Sequence, residues 1–208
     1  MNKSISKLSH LRLLCLLGLF LALTRTHAHA DNIEQPEPKN FIVAAAHPLA
    51  AKAGIEILSN GGSATDAAIA IQAVLGLVEP QSSGIAGGGF ILHYDASADE
   101  LTSWDGRETA PSAITPEIFS NHAGTLEGFI KAMISTDAVG VPGIPALLET
   151  VHKKYGRLNW ASLFSPAIKL ATEGFKITPR LHYLLSADPF IQNSPSARSI
   201  YFIQPGDA

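Results

Sequence analysis

From Ala67 to Val78 the chain is apolar almost all round, with Gln72 the single polar exception. A helix of this kind has to be buried on most sides, so the fold must bring packing partners to it from several directions in a layered core. Its ends are marked. Ser63 is a capping residue with Asp66 three positions on, an acidic variant of the capping box, and Glu79-Pro80 stops the helix because proline lacks a donor and restricts the residue before it.

The neighbouring segments supply candidate partners. Phe41-Ile42-Val43-Ala44-Ala45-Ala46 reads as a short buried strand. Leu49, Ala50, Ala53, Gly54, Ile57 and Leu58 then form an apolar stripe at helical spacing, opposite Lys52, Glu56 and Ser59. Pro48 fits the first helical position and Asn60-Gly61 the helix end. Downstream, Phe90 to Asp95, a turn over Ala96 to Asp99, and Glu100 to Trp104 read as a β-hairpin whose exit delivers Arg107. Leu147, Leu148, Val151 and Tyr155 mark a helix ended by Gly156, Ser165-Pro166 opens another that ends at Gly174, and Thr178-Pro179 opens a third. The expected class is α/β.

The N-terminus reads as an address. Lys3, Lys7 and Arg12 precede the apolar run Leu13 to Leu23, and Ala28-His29-Ala30 offers a small-residue cleavage site. This is the pattern of a signal peptide over residues 1–30, too short in its apolar part to span a bilayer, which needs about 20 residues. The expected location is periplasmic or secreted, with no stable membrane anchor. Residues Asp31 to Asn40, with Pro36 and Pro38, read as a leader into a domain over 31–208. The only cysteine, Cys15, leaves with the signal segment, so no disulfide framework is expected. Removing that segment's four cations and no acid takes the net charge from −3 to −7, a balance that does not recruit nucleic acid.

Few residues carry an obvious chemistry. The run Gly84-Ile85-Ala86-Gly87-Gly88-Gly89 is glycine-rich, but it follows a helix and opens a strand. A dinucleotide loop does the reverse, so that helix amides face the phosphate. Close backbone approach or positive φ is the better account of these glycines. Ser82 and Ser83 lie outside any nucleophile elbow and read as turn or cap hydroxyls. His47, His93, His122, His152 and His182 show no metal-ligand spacing and read as core or surface residues, and Lys153-Lys154 as a solvated helix end. No metal or cofactor is expected, and no catalytic constellation can be assembled.

Arg107 stands apart. It sits in Trp104-Asp105-Gly106-Arg107-Glu108-Thr109-Ala110-Pro111, at the end of the returning strand. One reading is a structural ion pair with Asp105 or Glu108. The other is that its planar, permanently charged fork grips a ligand carboxylate through two parallel hydrogen bonds, with Gly106 allowing the turn and Thr109-Ala110-Pro111 stiffening the exit.

Three ordered segments, Asn60 to Ala68, Glu79 to Phe90 and Asp105 to Pro111, resemble successive motifs of the γ-glutamyltransferases, also called glutathione hydrolases. Val141-Pro142-Gly143 and Trp160 to Ile168 through Glu173-Gly174-Phe175 continue the resemblance in the same order. It implies the N-terminal-nucleophile hydrolase fold, an αββα sandwich of two sheets between helical layers, of which only the N-terminal portion of the large subunit is present. It further implies a precursor that cuts itself, a small subunit whose new terminal threonine is the nucleophile, and transfer of a glutamyl group from glutathione or a related compound to water or an amine. Arg107 matches the position that holds the substrate α-carboxylate. The threonine-bearing subunit has no counterpart in this sequence, so the resemblance implies a chain inactive by itself, with sheet edges and apolar faces uncovered. A related amidase or acylase of the same fold, and a truncated non-catalytic binding protein, are the alternatives.

Overall fold

The computed structural model describes residues 40–122 and 125–202. The expected signal segment 1–30, most of the expected leader and the end at 203–208 lie outside the described residues. From Pro48 the chain runs α1 (Pro48–Ser59), α2 (Ala64–Val78), β1 (Gly89–Asp95) and β2 (Glu100–Gly106), then α3 (Leu126–Met133) and α4 (Ile144–Tyr155). It ends in α5 (Ser165–Glu173), α6 (Pro179–Ala187), α7 (Pro189–Asn193) and α8 (Pro195–Tyr201). Short 3-10 turns cover Pro116–His122, Thr136–Ala138 and Trp160–Phe164.

Local chemistry sets the helix ends. Ser63 Oγ accepts from Asp66 N–H at 3.1 Å and Asp66 Oδ2 accepts from Ser63 N–H at 2.9 Å, a complete capping box. Gly61 closes α1 at φ 85° and Gly174 closes α5 at φ 81°, conformations that cost glycine little and other residues more. Thr178 caps α6 through Leu181 N–H at 3.1 Å. His47 caps α1, its Nδ1 accepting from Leu49 N–H at 3.1 Å.

The apolar helix α2 is the hub. Ala67, Ile69 and Ala70 join Ile57, Ile144, Leu147, Leu148, Val151 and Leu163 in one buried cluster. Val74 and Val78 join Ala50 and Ala53 in a second, with Leu170 and Phe175 packed against it. Of Ala67 to Val78 only Ala68 is exposed, which meets the expectation of burial on most sides.

The hairpin is antiparallel, with Gly89 opposite Gly106 and Asp95 opposite Glu100. Alternation sends Ile91, His93, Thr102 and Trp104 inward, where Ile91 and Trp104 pack on the first cluster, while Phe90, Leu92, Tyr94 and Leu101 face outward and are exposed. Among the described residues the sheet has these two strands alone.

The buried strand expected over Phe41–Ala46 is not found. The segment alternates half-buried and exposed residues, Ile42 is 95% exposed, and among the described residues no strand pairs with it. A strand needs a partner edge to satisfy its ladder; here the half-buried side chains lean on helices instead, Ala45 against the second cluster and Val43 beside Gly54. Lys153-Lys154 is a solvated helix end as expected, both residues exposed, with Lys153 paired to exposed Glu149 at 2.5 Å and Lys154 Nζ 5.3 Å from the Trp104 ring and 5.0 Å from that of Tyr155.

Candidate carboxylate-binding site

Three segments distant in sequence converge where β2 ends. The glycine run passes directly behind Arg107 and Glu108: a Cβ on Gly88 would lie 2.7 Å from Glu108 N and 2.8 Å from Arg107 Cα. Close approach is therefore its role, and none of Gly84, Gly87, Gly88 and Gly89 has positive φ. The Gly87 carbonyl accepts from Gly143 N–H at 3.1 Å and Ile144 N–H at 3.0 Å, which ties the run to the start of α4. Gly106 likewise makes room, since a Cβ there would lie 2.6 Å from Leu147 Cβ. The expectation that Gly106 permits the turn is thus refined: it permits α4 to pack against the strand.

The third segment is 137–143. Val141 N–H donates to the Thr109 carbonyl at 2.8 Å in an isolated antiparallel bridge. A Cβ on Gly140 would lie 2.9 Å from Glu108 Cβ, so glycine lets the two segments close on each other. The resulting cavity, about 500 Å³, is lined by Arg107, Glu108, Thr109, Ile114, Phe119, Asp137 and Val139 among others.

Arg107 N–H donates to Asp105 Oδ1 at 2.9 Å, fixing the backbone at the strand exit. Its guanidinium Nη1 stands 3.5 Å from Glu108 Oε2, with the two side chains 60% and 30% exposed. That is one long contact and not a bidentate grip, and an exposed pair of this kind contributes ~0–1 kcal/mol. The structural reading is realised to this extent, and the Arg107 side chain stays largely exposed while lining the cavity.

Glu108 also lines a second cavity of about 520 Å³, shared with Gln72, Ser82, Ser83, Phe90 and Leu147. Ser83 Oγ accepts from Gln72 Nε2 at 3.0 Å, and both serine N–H groups donate to the Glu79 carbonyl at 3.0 Å, so these serines do serve in a turn. Buried Glu79 accepts from Arg180 Nε at 3.1 Å, securing the loop to α6.

The histidines are dispersed. His47 caps α1, His93 stacks on Tyr155 at 3.8 Å, and His152 Nε2 sits 3.6 Å from buried Asp66 Oδ1. Among the described residues no group of three His, Cys, Asp or Glu side chains could hold a metal ion, and no helix is long and apolar enough to cross a membrane. Tyr155 has its hydroxyl pKa lowered, first by the hydrogen bond with Thr102 and then by Lys154, but it belongs to the covered hairpin face. The sequence did not point to Glu108 as a bridge between cavities, to Gly140 or Asp137, or to the contact that Gly143 of the Val141-Pro142-Gly143 motif makes. The Pro142-Gly143 pair before an apolar helix was the one local signal.

A sequence model described as Gamma-glutamyltranspeptidase matches residues 50–208. The chain belongs to the γ-glutamyltranspeptidase family. The glutathione hydrolase proenzyme of Bacillus subtilis (strain 168) is 39% identical over 175 residues, covering 79% of this chain and 30% of that protein. The crystal structure of Helicobacter pylori γ-glutamyltranspeptidase superposes with a TM-score of 0.71 at 34% identity, covering 83% of this chain and 49% of that one. A cephalosporin acylase from Bacillus halodurans superposes with a TM-score of 0.59 at 31% identity, covering 78% and 33% respectively. The α/β arrangement is thus that of γ-glutamyltranspeptidases, the N-terminal-nucleophile hydrolase fold. The chain spans about three tenths of the length of the Bacillus subtilis relative.

Proposed function

We propose that this γ-glutamyltranspeptidase-family chain is the recognition part of an exported glutathione hydrolase or γ-glutamyltransferase, and that Arg107 anchors the α-carboxylate of the glutamyl group. The observation that carries this reading is the state of Arg107: 60% exposed at the rim of a cavity of about 500 Å³, with a single 3.5 Å contact to Glu108. A guanidinium so placed has spare donors and a neighbour that orients it. The names of relatives such as the Bacillus subtilis glutathione hydrolase proenzyme support the γ-glutamyl class.

In the proposed reaction a threonine of a second subunit, freed by cleavage of a precursor, attacks the γ-carbonyl carbon. Its hydroxyl proton passes to its own amine, then to the departing amine as the C–N bond breaks, leaving a glutamyl ester. Water or an acceptor amine resolves the ester. Arg107 acts in positioning: by fixing the α-carboxylate it holds the γ-carbonyl at a set distance from the cavity rim. The Asp105 contact, the Gly88 approach and the Thr109–Val141 bridge keep Arg107 in register for that task.

The test is turnover of a γ-glutamyl anilide by this chain completed with the remainder of a large subunit and a threonine-bearing small subunit. Release of the aniline supports the reading, and no release from a correctly cleaved assembly contradicts it. The similarity to a cephalosporin acylase favours one second reading, an acylase acting on another carboxylate-bearing side chain. Cleavage of a cephalosporin side chain without turnover of the γ-glutamyl anilide would select it.

A further inference from the structure

The loop that leads to the glycine run starts from a buried carboxylate. Glu79 follows the last residue of α2, and its Oε2 accepts from Gln81 Nε2 inside the loop and from Arg180 Nε at 3.1 Å, across 101 positions of sequence. Among the described residues no other cation stands within ion-pair distance of it. Arg180 lies in the first turn of α6, where the helix dipole disfavours a cation, so the helix gains nothing from it. Its use is to Glu79, because a buried carboxylate that loses its partner is costly. Leu181 and Leu185 are buried and fix α6, so Arg180 meets Glu79 from a firm base.

We propose that Arg180 is a positioning residue for the Arg107 site, acting through Glu79 on the loop 79–84 and the glycine run that follows it. The inference rests on Arg107 being the carboxylate anchor and goes beyond it by naming a residue, remote in sequence, that sets the anchor's geometry. The connection is continuous. Ser82 and Ser83 N–H groups donate to the Glu79 carbonyl, and Gln72 Nε2 donates to Ser83 Oγ. The chain then enters Gly84 to Gly89, where glycine backbones keep wide freedom unless both ends are held. Gly87 is held by Gly143 and Ile144 N–H, and Gly88 lies against the backbone of Arg107 and Glu108. The Arg180 pair is the tie at the other end. Releasing it lets the run take several arrangements behind Arg107. When only a fraction of molecules holds the competent one, apparent affinity falls by that fraction.

The test is γ-glutamyl anilide kinetics in the completed enzyme, with Arg180→Gln, Arg180→Lys and Arg107→Lys measured side by side, and amide hydrogen exchange on the same proteins. Arg180→Gln should raise KM about five- to tenfold, as for a competent fraction of about a tenth to a fifth, with kcat changed less than about twofold. Arg180→Lys keeps the charge and should recover most of that loss. The double variant Glu79→Gln with Arg180→Gln removes the tie without leaving a buried charge alone, and should show the same rise even where Arg180→Gln folds poorly. Exchange at Ser82 and Ser83 should quicken while buried Val151 in α4 stays protected. An unchanged KM in the double variant, with KM raised in Arg107→Lys, overturns the inference and leaves the Arg107 reading standing. Loss of protection at Val151 together with the serines also overturns it, since the pair would then support the whole core. An unchanged KM in Arg107→Lys overturns both.

Discussion

Gly143 lies against Gly106 so closely that a Cβ on Gly143 would come 2.6 Å from the Gly106 carbonyl carbon. The start of α4 and the end of β2 are in backbone contact, and Arg107 leaves from that contact. Neither side is a flexible chain end that can move aside, so Gly143→Ala must push the helix from the strand. We expect a loss of about 2 kcal/mol, within the range for overpacking a tight site. Gly84→Ala is the control, since nothing lies within 4 Å of its Cβ position. Thermal denaturation of the two variants reads the difference, and equal melting temperatures would contradict it.

Asp66 performs two tasks at once. Besides capping α2, its Oδ2 accepts from Arg157 N–H at 2.9 Å and Leu158 N–H at 3.1 Å, which ties α2 to the segment after α4. The carboxylate is fully buried. Asp66→Ala leaves three backbone donors without their acceptor, at about 3 kcal/mol in all, since each buried unsatisfied group costs ~1–3 kcal/mol before relaxation. Chemical denaturation checks this. A change below half a kilocalorie would show that water replaces the carboxylate without penalty.

The two faces of the hairpin should respond differently to polar substitution. Ile91 packs on the first buried cluster, whereas its neighbour Leu92 is 71% exposed. Ile91→Thr is expected to cost about 2 kcal/mol through lost packing and a buried hydroxyl. Leu92→Thr should stay within about 0.5 kcal/mol of the parent. It should also reduce binding of a hydrophobic dye, because Phe90, Leu92, Tyr94 and Leu101 form one outward apolar stripe.

The hairpin turn carries a pH signature. The Asp95 carboxyl is held below its ordinary value of 3.8, first by the Ser97 hydroxyl and then by the Ser97 N–H. A carboxylate lowered in the folded state stabilises the turn at pH values above its ordinary range, and that contribution is lost as the pH falls from about 4 through the lowered midpoint. Ser97→Ala removes the largest cause and should move the midpoint upward. Carboxyl carbon NMR titration reads this directly, and an unchanged midpoint would assign the shift to the backbone alone.

Much of this architecture is legible in local sequence. Ser63 with Asp66, Gly61, Gly156, Gly174 and Thr178 mark helix ends by chemistry that acts within a few residues, and each serves that role. The strand alternation around Ile91 and Trp104 gave the hairpin, and with it the place of Arg107. What failed was non-local. Phe41–Ala46 has strand composition, but composition carries no information on whether a partner edge is present. Asp66 as a tie to Arg157 and Leu158, Gly143 against Gly106, and Gly140 against Glu108 join segments far apart in the chain, and no short-range pattern announces them. Helix α3 had a readable cap, with Thr125 Oγ1 accepting from Gly128 N–H at 3.0 Å.

The central claim is that the Arg107 fork holds a substrate carboxylate. The most direct measurement is KM for a γ-glutamyl anilide in the assembled enzyme carrying Arg107→Lys, which keeps the charge and loses the planar pair of donors. We predict a KM raised roughly ten- to a hundredfold, the equivalent of one charged hydrogen bond, with kcat changed far less. An unchanged KM would contradict the account and return Arg107 to its ion pair with Glu108.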